Sequence, residues 1–202
     1  MKQINSFKIV ILILILTIGF FGFSSIWKSE MQTTTTNQSS KKIIEGKDEV
    51  KGYKSWTKVN NKPEIMVSKV AMLCAMPTNE QVEVESKNPH NDKFINVYVN
   101  AIGKDEMMTK KYPQFPKGTV IVKEKLTTSD STNPEILTVM IKREKDFNPE
   151  NGDWEYMTLN GDATEVTARG KIESCQACHV LDRSTDYVSR RYLPYEIRQK
   201  LK

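Results

Sequence analysis

Cys175, Cys178 and His179 are the residues of this 202-residue chain whose types and spacing most directly imply chemistry. They form the run Cys175-Gln176-Ala177-Cys178-His179, a C-x-x-C-H pattern of the kind that attaches c-type haem. Two thiols at this spacing can add to the two vinyl groups on one edge of a porphyrin. The neighbouring histidine is then carried beneath the ring, where an imidazole nitrogen reaches the iron. The expectation is one covalent haem c on Cys175 and Cys178, with His179 as the axial iron ligand. Two other chemistries compete for the same residues. In an oxidising compartment Cys175 and Cys178 could pair as a disulfide. A zinc site could form if Cys74 or His90 completed the set. Structural zinc sites usually pair two such clusters and the chain has one, so haem leads. No methionine follows His179, so any sixth iron ligand has to come from upstream.

The elements around the motif read mostly as strands. Phe94–Asn100, Thr119–Leu126 and Glu135–Arg143 are short runs dominated by β-branched and aromatic residues, and Trp154–Leu159 resumes after the turn cluster Asn148–Gly152. Consecutive strands separated by turns favour an antiparallel sheet. Glu49–Asn60 spaces Tyr53, Trp56 and Val59 by three, which predicts a short amphipathic helix. The apolar run 68–76 suits a helix or a buried strand, with Cys74 as a buried free thiol. Pro77–Asn91 reads as a polar loop carrying His90. Thr185–Tyr192 and Pro194–Lys202 read as helices, with Tyr187 and Val188 facing inward and Arg190 and Arg191 outward. The fold class expected is α+β, a predominantly antiparallel β-sheet with flanking helices.

Residues 1–28 read as a signal peptide or an N-terminal membrane anchor. Lys2 and Lys8 precede an apolar run from Ile9 to Phe23, the order found in export signals. Residues 9–27 approach the roughly 20 needed to span a bilayer, and no A-x-A-like site follows, which favours the anchor. Residues 29–49 form a polar Thr/Ser/Gln-rich linker that buries too little apolar surface to order itself. Residues 50–202 make the folded domain, of ordinary size for one core. The domain is expected to be periplasmic or extracytoplasmic. Lys2, Lys8 and Lys28 account for most of the excess of 30 Lys and Arg over 25 Asp and Glu. The remaining charges are interspersed without a long run of one sign, which leaves no electrostatic footprint for nucleic acid.

Several stretches together resemble the cytochrome P460 family, which includes the β-sheet cytochromes c′. They are Tyr53–Asn60 (YKSWTKVN), Ile95–Asn100 (INVYVN), Phe115–Leu126 (FPKGTVIVKEKL), Gly152–Tyr156 (GDWEY), and CQACH followed by Asp186-Tyr187-Val188. The resemblance implies a cytochrome P460-like single domain, often a homodimer, holding haem with an open distal face. It implies that Lys123, in Gly118-Thr119-Val120-Ile121-Val122-Lys123-Glu124, is the lysine that catalytic members bond to the porphyrin edge. Strand alternation alone places Thr119, Ile121, Lys123 and Lys125 on one face and does not choose between the two lysines. Catalytic members also use a distal carboxylate, for which Glu165 is the candidate, though a solvated loop carboxylate is its plainer reading. His90 is a candidate for the distal pocket or the sixth iron position, against the plainer reading of an exposed loop histidine.

The function implied is oxidation of hydroxylamine or a related small nitrogen compound, with electrons passed to an exported acceptor. The alternatives are a nitric oxide- or gas-binding β-sheet cytochrome c′ without turnover, and a simple electron carrier.

Overall fold

The computed structural model describes residues 46–66, 76, 78–86 and 92–202. The export segment, most of the linker, Cys74, most of the run 68–76 and His90 lie outside the described residues.

Four long strands are the frame: β3 (Phe94–Val99), β4 (Val120–Leu126), β5 (Ile136–Lys142) and β6 (Trp154–Asn160). They follow two short strands, β1 (Thr57–Lys58) and β2 (Glu64–Ile65), and precede β7 (Val166–Gly170). All seven join one antiparallel sheet in the order β1-β3-β4-β5-β6-β7, with β2 also pairing with β3. The β-branched runs therefore become central strands, where side chains on both faces can be buried. Short helices flank the sheet: α1 (Asn79–Ser86), α2 (Lys104–Met108), α3 (Glu173–His179) and α4 (Tyr195–Lys200). The architecture is thus the α+β, predominantly antiparallel class that the sequence implies.

Period-2 alternation sorts the strand residues into two cores. One face carries Ile95, Val97, Val99, Ile121, Met140, Trp154 and Tyr156, covered by Phe115, Tyr187, Val188, Tyr192 and Leu193. The other carries Tyr98, Val120, Val122, Leu137, Val139, Ile141, Met157 and Leu159, covered by Val50 and Tyr53. On this second face Tyr53 Oη donates to Glu124 Oε1 at 2.7 Å and Asn96 Nδ2 donates to Glu124 Oε2 at 3.0 Å. Glu155 accepts there from Arg143 and Arg169, and Glu49 joins the same two arginines.

Three local expectations are corrected. Glu49–Asn60 is not one helix: Gly52 takes a left-handed φ of 71°, a 3-10 turn spans Tyr53–Ser55, and the chain extends into β1. Tyr53 and Val59 consequently reach opposite faces of the sheet, which one helical stripe could not achieve. The loop expected over Pro77–Asn91 contains α1. Thr185–Tyr192 is not a helix, because Asp186 and Tyr187 both hold left-handed backbone, φ 54° and 64°. Tyr187 and Val188 nevertheless face inward, 9% and 2% exposed.

Candidate haem site

The C-x-x-C-H run folds as α3, which starts where the backbone N–H groups of Cys175 and Gln176 both donate to Ile172 O. Glu173 in its first turn complements the helix dipole. Cys175 and His179 stand four residues apart on this helix, one above the other, and Cys178 lies on the adjoining stripe. Both thiols are free; Cys175 is partly buried and Cys178 exposed. Gln176 docks the helix to the β5–β6 connection, accepting from Asn148 Nδ2 at 3.0 Å while the same amide donates to Trp154 O at 2.9 Å.

His179 is fixed in one tautomer. Its Nδ1 lies 2.7 Å from Tyr187 O. A carbonyl only accepts, so Nδ1 carries the proton and Nε2 keeps its lone pair. Burial holds the imidazole below its usual pKa, which favours the neutral, ligating form; the bond to Tyr187 O opposes the shift and Lys123 adds to it. The Tyr156 ring lies 5.4 Å from the His179 ring. Its hydroxyl is buried with no hydrogen-bond partner among the described residues.

Lys123 points from β4 toward the same region. Its Nζ is 3.9 Å from Met66 Sδ and 5.5 Å from the centre of the Tyr192 ring. Burial pulls its pKa down to about 8, with the nearby positive charges of Lys125 and Arg191 acting in the same direction. The thiols of Cys178 and Cys175 act on it weakly in the opposite sense. Lys125, two residues on and buried, is likewise lowered by burial, and its largest charge interaction is with Cys175. Cys175 is itself raised by burial, with Lys125 opposing. Of the two lysines that alternation could not separate, Lys123 stands beside Met66 and Tyr192.

Two free thiols on neighbouring stripes of one helix, an imidazole with Nε2 left over, and apolar walls from Met66, Ile172 and Tyr192 fit a haem. The Tyr156 hydroxyl, buried without a hydrogen-bond partner among the described residues on a ring beside His179, fits a site completed by a further group. No cluster of three metal-binding side chains occurs among the described residues, and Cys74 and His90, either of which was to complete a zinc site, lie outside them.

Glu165 is not brought to this cluster. It sits exposed on the β6–β7 turn, where its backbone N–H donates to Asn160 Oδ1. Asn160 is four residues along β6 from Tyr156, about 13 Å at strand rise. Met66, Tyr156 and Tyr192 were not picked out from sequence. Tyr156 carried a signal, since alternation from Trp154 places it on one face with β4's lysines through the register Tyr156–Met140–Ile121. Met66 and Tyr192 arrive from distant segments and carried none.

The family model described as Cytochrome P460 matches residues 50–190, which takes in β1 to β7, Lys123 and the whole of α3. No curated protein matches the chain.

Proposed function

Since the chain belongs to the cytochrome P460 family, a family of haem c cytochromes, we propose that it is an exported mono-haem c-type cytochrome that oxidises hydroxylamine or a related small nitrogen compound. Cys175 and Cys178 would hold the haem covalently and His179 would ligate its iron. The observation that carries the proposal is that Cys175 and His179 of α3 pack on the sheet face that holds Tyr156, the face on which Lys123 stands beside Met66 and Tyr192.

The bound haem would supply an iron that changes oxidation state and an open coordination position for a small ligand. The chain's own residues do the rest. Tyr187 O holds the imidazole so that Nε2 is presented, and the bond raises the basicity of that nitrogen. Lys123, with its pKa drawn down to about 8 by burial, offers a neutral amine at mildly alkaline pH. Met66 and Tyr192 keep that amine against apolar surface.

Export belongs to the same proposal, because haem is attached to C-x-x-C-H outside the cytoplasm and residues 9–27 have the pattern of an anchor. An exported electron acceptor and a homodimer complete it. The place of Glu165 on a remote turn favours a second reading, gas binding without turnover.

The test is to express the chain with c-type maturation machinery and map its haem-bearing peptides by mass spectrometry. Haem bridging the Cys175–Cys178 peptide and the Lys123 peptide supports the oxidase. Haem on the cysteine peptide alone supports gas binding or electron transfer. No covalent haem overturns the proposal.

A further inference from the structure

We propose that Lys142 and Asp186 are positioning residues for His179: their buried ion pair locks the backbone turn whose next carbonyl, Tyr187 O, receives the His179 Nδ1 proton. The inference rests on the reading of His179 as iron ligand.

The turn is held from every side. Lys142 Nζ donates to Asp186 Oδ1 and Oδ2 at 2.7 and 2.6 Å, and the two side chains are only 13% and 6% exposed. The Phe115 backbone N–H donates to Asp186 Oδ2 at 2.8 Å. Trp154 Nε1 donates to Asp186 O at 2.7 Å, and Lys142 Nζ stands 5.0 Å over the Trp154 ring. From the β5–β6 turn, Gly152 comes so close that a Cβ there would lie 2.6 Å from Tyr187 Cδ2 and 2.8 Å from Asp186 Oδ1.

Such convergence matches what the backbone needs. Asp186 and Tyr187 are consecutive non-glycine residues with φ of 54° and 64°. Left-handed backbone persists in such residues only where the surroundings over-determine it. Here it turns the Tyr187 carbonyl back toward α3, eight residues upstream of it. A short, aligned bond from Nδ1–H makes the imidazole a stronger donor at Nε2 and so favours ferric iron. Loosening the turn weakens that bond. Asp186 is the residue before Tyr187, so the pair acts on His179 through the Tyr187 carbonyl.

The haem-loaded chain, Lys142→Met, Asp186→Asn and a control, Leu137→Ala, would be compared. Leu137 is fully buried in the opposite core and serves to reproduce a loss of stability alone. Three quantities are read: covalent haem by mass, midpoint potential, and the iron–histidine stretching band of the reduced protein. Haem stays attached in both site variants. The ferric-to-ferrous ratio at fixed potential is expected to fall about tenfold, a rise in midpoint of about 59 mV for one electron. The iron–histidine band moves to lower frequency, Lys142→Arg recovers part of both shifts, and Leu137→Ala moves neither. Unchanged potential and band in haem-loaded Lys142→Met and Asp186→Asn would overturn the proposal, as would equal shifts in Leu137→Ala. If Asp186→Asn does not fold, Lys142→Met decides alone. Absence of haem from the unsubstituted chain overturns the reading of the site, and the positioning role with it.

Discussion

Replacing Lys123 with methionine should stabilise the haem-free chain at neutral pH and flatten one part of its alkaline stability profile. An unfolded lysine titrates near 10.5 and the folded Lys123 near 8. Between those values the unfolded chain holds a proton that the folded chain has released, so stability rises with pH across that window. Below pH 8 the ammonium is present in both states and the folded state carries its full desolvation cost. A pKa lowered from 10.5 to about 8 corresponds to about 3 kcal/mol. Lys123 keeps partial exposure, and screening by water brings the expected effect to about 1–2 kcal/mol. Methionine is close in length, stays apolar and does not titrate. Urea denaturation of both proteins at intervals from pH 7 to 10.5 gives the difference curve directly, with the other titrating groups common to both. The methionine variant should lead by about 1–2 kcal/mol at pH 7, and the lead should vanish toward pH 10.5. A constant difference across the window, or a less stable variant at pH 7, would refute the reasoning that the fold holds this amine at a cost.

Glu155 works in the opposite sense: its pKa is lowered because Arg169 and Arg143 outweigh its burial. Its contribution is therefore complete above the unfolded value of about 4.3 and is lost as pH falls through the folded one, which an acid titration followed by circular dichroism will show. Glu155→Ala strands two arginines beside Glu49 and should cost about 3–5 kcal/mol in chemical denaturation. Tyr53→Phe removes a hydrogen bond to the buried Glu124 carboxylate and should cost about 1.5–3 kcal/mol, read as a lower midpoint in urea. Gly161→Ala drives a Cβ to 1.7 Å from Pro134 O, so the β6–β7 turn must shift, and calorimetry should show a loss of about 1–3 kcal/mol.

What the sequence disclosed followed from physics that acts locally. The four long strands announce themselves because residues such as Val120–Val122 and Ile136–Ile141 are apolar on both faces, as a central strand requires. β7 escaped notice because Val166–Gly170 is a half-exposed edge whose Thr167, Ala168 and Arg169 carry little apolar pattern. The helix expected over Thr185–Tyr192 failed for a non-local reason. Asp186 is claimed by Lys142, Phe115 and Trp154, residues 32 to 71 positions away. No window around residue 186 contains them. The motif on α3 was legible because its three reactive residues are contiguous. The environment of Lys123 was not, since Met66 and Tyr192 lie 57 positions before it and far beyond it in sequence.

The β7 edge bears on whether the sheet invites a further strand. An open strand edge is a template that a second chain can extend, and its length and regularity set how readily it does so. β7 runs for only five residues, its register slips at Thr158/Leu159, and it ends at Gly170 with φ 130°. Arg169 adds a charge whose guanidinium is engaged with Glu155 and Glu49 beneath. Zippering two sheets into one along this side would gain few hydrogen bonds before reaching the bulge or the turn into α3. Among the described residues no strand pairs with the outer side of β7, and its shortness, bulge and charged Arg169 guard that edge against open-ended polymerisation.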